Sequence, residues 1–482
     1  MTPKLAPDRL AFFAVIVLLL VGCTQWGRLE VRLAPHVPPE VEADHPSPPD
    51  VHHGYPAGPF RIYPGWAKVP WGARNSPHIA IADPLLAALF GIWLLRVLVR
   101  REWARLRAAP IQFWAVPVIA IVAVGQAVNL FSPTESPGVP KSEWAIMAAV
   151  PEMGQFVLYF IGAYLLFVNG LVAERQRRAA LYVFLAIVTA NILVGIHAAL
   201  MGHIPGPKEP FALFGSRYAY AGLVTIALPL VLGLGLRENR TWHIIWFALL
   251  LVLGLMSILS GAHLIILAIV LIAVSGLHSR RAVVIAALVA ILGFAAFPAV
   301  YPLQHEATLG QFLNFQEPTT ARTQESFPEG TVIKRRWLEW QAAVGLIGDP
   351  GAADYGLGVG TGNYQKRINS YYGSMPNQDT MEADTYSRYL VQVASMGFIG
   401  LVALCAALGC AWRHARSAAS ATGGAHPGLS LGLQGAILGV ILANVCGDTF
   451  VRGLYVPMFF LFALAAATAY AAGGDEGMTD EA

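Results

Sequence analysis

Long apolar runs set what this chain can become. Stretches of about seventeen or more mostly apolar residues, each sufficient for a helix to cross a hydrocarbon layer of roughly 30 Å, occur near 10 to 26, 82 to 99, 110 to 131, 151 to 173, 179 to 201, 218 to 236, 242 to 259, 263 to 277, 282 to 301, 386 to 411, 430 to 447 and 454 to 472. The stretch at 263 to 277 is marginal in length. With 56% hydrophobic and 13% charged residues and a mean hydropathy of +0.55, the chain has more apolar surface than a soluble core hides. The expected fold class is all-α: a polytopic membrane protein with about twelve transmembrane helices.

Basic residues orient those helices, because Lys and Arg beside short connections are retained on the cytoplasmic side. With the N-terminus inside, the cytoplasmic segments hold Lys4, Arg9, Arg96, Arg100, Arg101, Arg105, Arg107, Arg175, Arg177, Arg178, Arg237, Arg240, Arg280, Arg281, Arg413 and Arg416. The short connections opposite hold only Lys141, Lys208, Arg217 and Arg452. Both termini are then cytoplasmic, and the net charge of +3 is a topology signal. No basic face with interleaved aromatics points to nucleic acid. Three regions follow: 1–301 with helices one to nine and a Pro-rich external loop at 27–78, an external loop at 302–385, and 386–482 with helices ten to twelve and a cytoplasmic tail.

Cys23, Cys405, Cys410 and Cys446 all fall in apolar runs, which leaves no disulfide framework or zinc spacing. Leu20 to Cys23 after a basic start has the form of a bacterial lipoprotein cleavage box, whose use would remove the first span; an ordinary retained span has the same composition. The loop from Arg28 to His78, with Pro46-Ser47-Pro48-Pro49 and His52-His53-Gly54-Tyr55-Pro56, is expected to be extended and without a core. Its histidines lack metal-ligand spacing. Asp83-Pro84 marks a helix start, the carboxylate capping and the proline in the first turn.

The expected external face collects Arg217, His263, Asp448 and Arg452 together with the long loop. In that loop Lys334, Arg335 and Arg336 open a segment whose apolar residues, Trp337, Trp340, Ala343, Val344 and Ile347, repeat at helical spacing. This predicts an amphipathic helix along the membrane surface, tryptophans down, ended by Asp349-Pro350-Gly351. Gly356, Gly358, Gly360 and Gly362 then permit close backbone approach, either to expose amides to an anion or sugar or to form a plain turn. Asp379, Glu382, Asp384 and Arg388 follow, the acids serving as a base or neutralising arginines.

Several of these segments resemble the bacterial O-antigen ligase and polymerase family of membrane glycosyltransferases. The resemblance rests on Arg336 and Trp340, the Asp349-Pro350 step, the run from Gly358 to Tyr364, and Tyr389-Leu390 leading to Gly397-Phe398-Ile399-Gly400. Phe214 to Ala221 is similar to the family's Phe-x-Asn-Arg-Asn-x-x-Ala pattern, with Arg217 kept and Ser216 and Tyr218 in place of the asparagines. Together they cover about a third of the chain. Two positions depart: Tyr386 and Ser387 stand where the family commonly has a His-Asn pair, and Ala262 and His263 where it has Ser-Arg.

The resemblance implies an inverting, metal-independent transfer of glycan from undecaprenyl diphosphate to a lipid or glycan acceptor hydroxyl, without cofactor, on the periplasmic face of the bacterial inner membrane. Arg217 and Arg336, with Arg335 and Arg388, would hold the diphosphate, and the Gly358, Gly360 and Gly362 backbone would line the loop site. Asp384, Glu382 or His263 would act as base, or the usual activity has been lost and the chain is a non-catalytic relative. A transporter or flippase for a lipid-linked substrate shares the helix number and the external arginines. It conflicts with the lack of an evident repeat and with the few intramembrane charges, Glu152 being the main exception.

Overall fold

The computed structural model describes residues 8–24, 27–31, 55–57, 60–64, 78–103, 150–201, 211–214, 217–237, 240–258, 261–284, 286–288, 291, 332–349, 356–360, 364–368, 371, 387–420, 427–447 and 454–476. These residues are predominantly helical. Helix α1 spans Arg9–Thr24, α2 Ala82–Val99, α3 Val150–Val157, α4 Tyr164–Gly170, α5 Glu174–Leu200, α6 Arg217–Leu236, α7 Thr241–Ser257 and α8 Gly261–His278. Beyond the predicted spans come α9 at Val332–Gly348 and α10 at Tyr364–Ile368, then α11 at Arg388–Ser420, α12 at Pro427–Cys446 and α13 at Tyr455–Glu476. A π-helical turn, Leu158–Ala163, joins α3 to α4. The predicted stretch 110 to 131 lies outside the described residues, and only the beginning of 282 to 301 is described.

Among the described residues five helices are long and apolar enough to cross a membrane, in α2, α5, α6, α11 and α12; α1, α7, α8, the α3–α4 segment and α13 supply shorter apolar helices. Large apolar side chains also face outward, among them Leu95, Ile245, Ile269 and Val402. Such faces are unfavourable in water and suited to lipid. The fold is that of a membrane protein.

The region expected to be a bare loop contains a sheet. Strands β1 (Gly27–Val31), β2 (Tyr55–Ala57), β3 (Phe60–Pro64) and β4 (His78–Ala80) pair antiparallel in the order β2-β3-β1-β4. Short apolar alternations, Leu29 with Val31 and Phe60 with Ile62, account for it. The register sets Leu29 opposite both Ile62 and Ile79. Pro56 lies on an edge strand and Pro64 at a strand end, positions where a missing N–H is tolerated.

Polar anchors fix the helix ends. Asp8, 1% exposed, accepts the backbone N–H groups of Leu10 (3.0 Å) and Ala11 (3.2 Å), Arg96 Nη1 (2.9 Å) and Trp93 Nε1 (3.1 Å). One carboxylate thus caps α1 and ties it to the C-terminal half of α2. At the other end of α2 the cap residue is Ile81, whose side chain makes no capping bond. Asp83 instead is buried and accepts Tyr159 O–H (2.6 Å) and Gln155 Nε2 (2.6 Å). Tyr159 lies in the π-turn and stacks on Tyr455 of α13, ring centroids 4.7 Å apart.

α1 is a core element. Cys23 is fully buried, its carbonyl accepts from Asn191 Nδ2 (3.2 Å), and a Cβ on Gly22 would sit 2.5 Å from Val456. Cleavage before Cys23 would strip out a helix packed on α2, α4, α5 and α13.

Helices α6 and α12 meet backbone to backbone. A Cβ on Gly233 would overlap the Gly432 backbone, one on Gly432 would stand 2.7 Å from the Leu230 carbonyl, and one on Gly428 2.9 Å from that of Gly233. Small residues let backbones meet in lipid, where packing replaces the hydrophobic drive between helices. Gly432→Leu is therefore expected to cost about 3 kcal/mol or more, read as loss of monodisperse protein or a lowered thermal midpoint. Gly409→Leu, where a Cβ meets nothing within 4 Å, is expected to stay within about 0.5 kcal/mol of the parent.

Candidate functional site

Helix ends converge on Gly447, just past the end of α12. Its carbonyl accepts the Arg388 N–H at 3.0 Å, so the first turn of α11 is pinned to the last turn of α12. Tyr389 adds a second tie, its hydroxyl donating to the Ile441 carbonyl at 2.9 Å. The imidazole of His263, from the start of α8, lies against the same glycine: a Cβ there would stand 3.8 Å from Nε2. His263 is 6% exposed, and its ring centroid is 6.2 Å from that of Tyr218 in the first turn of α6. Two residues further, Tyr220 donates to Ser257 Oγ (2.6 Å) at the end of α7. The starts of α6, α8 and α11 thus gather at one end of the bundle with the ends of α7 and α12.

Arg388 is 5% exposed, and Nη2 donates to Gln392 Oε1 at 2.9 Å. A buried guanidinium requires such acceptors or an anion. The Gln392 amide donates onward to Met396 Sδ (2.9 Å) and the Gly400 carbonyl (3.4 Å).

The segment after 331 docks here too. Ala342, Ala343 and Leu346 of α9 pack with Val359, Tyr364, Ile368 and Ala394, flanked by Leu390 and Val391 of α11. α9 ends at Gly348, at the Asp349-Pro350 step as the sequence predicts. Its apolar face is divided, which corrects the single stripe expected: Ala343 is buried toward α11, Trp337 (57% exposed) and Val344 (58%) face away, and Trp340 and Ile347 are half-buried.

The glycine run meets protein backbone. Val359 N–H donates to the Ala394 carbonyl (2.7 Å) and Gly360 N–H to that of Ser395 (2.9 Å). Of the two readings of this run, the turn accounts for these amides, and they are not offered to an anion. Gly358 has φ +71° and Gly360 φ +90°, a region that favours glycine. A Cβ on Gly358 would stand 2.5 Å from the Ala394 carbonyl oxygen.

Of the predicted site residues, His263 and Arg388 are brought together around Gly447. Arg217 opens α6 one residue before Tyr218, and Arg335 and Arg336 lie in the opening turns of α9; the side chains of all three are outside the described residues. Glu382, Asp384, Gly362, Asp448 and Arg452 are also outside them. Sequence reasoning missed Gln392, and it named Tyr389 only within a motif and Asp83 only as a helix cap, without their contacts. Their signal, polar residues inside apolar runs, was present but not distinctive. Among the described residues no group of three His, Cys, Asp or Glu side chains is placed to hold a metal ion. No protein-family model matches the chain, and no curated protein matches it.

Below α9, Tyr371 donates its hydroxyl to Asp349. Burial, then that bond and the carboxylate charge, push the phenol up to about 12. Burial lowers the Arg367 guanidinium, while the nearby Tyr371 acts the other way. Because the folded phenol is raised, its contribution to docking is complete below the ordinary value near 10 and lost as pH climbs through about 12. Phenolate absorbance of the parent minus Tyr371→Phe is expected to titrate near pH 12; titration near 10 would show that the Tyr371–Asp349 contact does not form.

Proposed function

We propose that the chain is a membrane glycosyltransferase of the O-antigen ligase and polymerase type, taking glycan from undecaprenyl diphosphate to an acceptor hydroxyl. In this reading about twelve helices span the bacterial inner membrane, and the Gly447 end of the bundle faces the periplasm. The observation that carries it is the gathering of three helix starts at the Gly447 end of the bundle, with the buried Arg388 opening one of them. Arg388 and His263 stand within that cluster, Arg217 opens one of its helices, and α9, with Arg336, docks on α11. Helix starts carry partial positive charge and orphan N–H groups, so this end of the fold suits an anionic headgroup.

The chemistry is a single displacement. The acceptor hydroxyl attacks the anomeric carbon as the bond to the diphosphate oxygen breaks with inversion. The departing electron pair is stabilised by Arg217, Arg336 and Arg388, preorganised cations that require no metal. The hydroxyl proton passes to Asp384, Glu382 or His263, since an unactivated sugar hydroxyl is a weak nucleophile. A transport reading has one observation in its favour, the non-helical Gly397 within α11, since broken helices line transporter sites. Here the break is occupied by amides of the external segment, which leaves it filled by protein.

With purified protein in lipid nanodiscs and a labelled lipid-linked glycan, Arg217→Ala and Arg336→Ala are each expected to lower transfer about a hundredfold or more while the protein stays folded. Full transfer by both variants would remove the diphosphate-clamp role. Among Asp384→Asn, Glu382→Gln and His263→Gln, the variant that removes the base is expected to lose about a hundredfold in kcat. Near-parental kcat in all three would assign the proton to another group.

A further inference from the structure

In an unbroken helix the carbonyls of Ala394 and Ser395 would accept the N–H groups of Phe398 and Ile399, four residues on. Gly397, with φ +67° and ψ −174°, interrupts that ladder. The two carbonyls receive Val359 N–H and Gly360 N–H instead. Fit is tight from both sides: a Cβ on Gly397 would overlap the Gly356 carbonyl, and one on Gly358 would press on the Ala394 carbonyl. Gly397 lies nine residues along α11 from Arg388, roughly 13 Å at 1.5 Å per residue. The turn therefore reaches well down a membrane helix, where a backbone carbonyl has no water to fall back on. On the other side of the break, Gln392 bridges it, accepting from Arg388 and donating to Met396 and Gly400.

We propose that the Gly356–Gly360 turn and the Gly397 break form a latch that fixes α9 and α10 over the start of α11, and that Gln392 couples the latch to an anionic headgroup held at Arg388. The carbonyls of Ala394 and Ser395 have two alternative donor sets, the turn's amides or the helix's own, which makes the element two-state. A ligand that orders Arg388 and Gln392 stabilises the bridged, broken form, and by linkage a docked turn strengthens ligand binding. The coupling rests on the diphosphate reading of Arg388; the latch stands without it.

Hydrogen exchange of the full-length protein in nanodiscs, followed at residues 356–360, tests both halves. In the parent these amides exchange slowly. Gly397→Ala and Gly358→Ala, altering the helix and the turn separately, each speed exchange about tenfold or more, while residues 217–236 of α6 keep their protection as a folding control. Undecaprenyl diphosphate slows exchange of the parent by a further several-fold, inorganic pyrophosphate showing whether the headgroup alone suffices. Gln392→Leu, which lacks the bridge, loses the ligand response, read as the ratio of its exchange rates with and without carrier. Unchanged exchange in both glycine variants overturns the latch. Equal slowing of the parent and Gln392→Leu by the carrier, or no slowing of the parent with carrier measurably bound, overturns the coupling. Failure of the parent to bind carrier at all overturns the functional reading and the coupling together, while the glycine variants still decide the latch.

Discussion

Every main-chain N–H and C=O inside an apolar layer needs a partner, and that requirement organises this molecule. Most of the described chain meets it locally, as helix. The informative places are those where the helix does not suffice. At Gly397 the ladder is broken, and amides from a segment more than thirty residues earlier complete it. At Leu158–Ala163 the helix widens to a π-turn, and Tyr159 from that turn reaches the buried carboxylate of Asp83. Such departures are costly in lipid unless protein supplies the missing partner, and π-turns recur at functional sites.

These departures also bind distant parts of the sequence into one end of the bundle. Gly447 receives the Arg388 amide and lies beneath His263. Leu454, next to the Tyr455 that stacks on Tyr159, packs on Gly222 of α6. The Asp83 cluster and the Arg388 cluster therefore flank the same helix, the one that opens with Arg217. The opposite end of α2 is held by the Asp8 carboxylate and Arg96, which keeps α1 and α2 antiparallel.

Apolar run length made the helices legible in the sequence, because crossing a lipid layer needs little beyond continuous hydrophobicity. Tertiary contact was less legible. Asp83 reads as a helix cap from its neighbour Pro84, yet a side chain 76 residues away claims it. The strands at 27–31 and 60–64 are too short to stand out from the surrounding prolines, and only their pairing reveals the register. The glycine run reads as open to a ligand or as a turn; its Val359 and Gly360 amides are taken up at the left-handed Gly397, whose conformation leaves no mark beyond the residue type. His263 is placed by topology and Arg388 by its position at the start of the tenth span, and both lie against Gly447. Their shared neighbour, Gly447, carries no chemical signal at all.

The central claim is that one headgroup site sits where α6, α8 and α11 begin. The most direct measurement is a cryo-electron-microscopy structure of the protein in nanodiscs with undecaprenyl diphosphate bound. The account predicts diphosphate density between those three helix starts, within hydrogen-bonding reach of Arg388 and of the Arg217 and Arg336 side chains, with the Gly356–Gly360 turn seated in the break at Gly397. Carrier density elsewhere on the bundle, with Arg217 and Arg336 turned to separate surfaces, would contradict it.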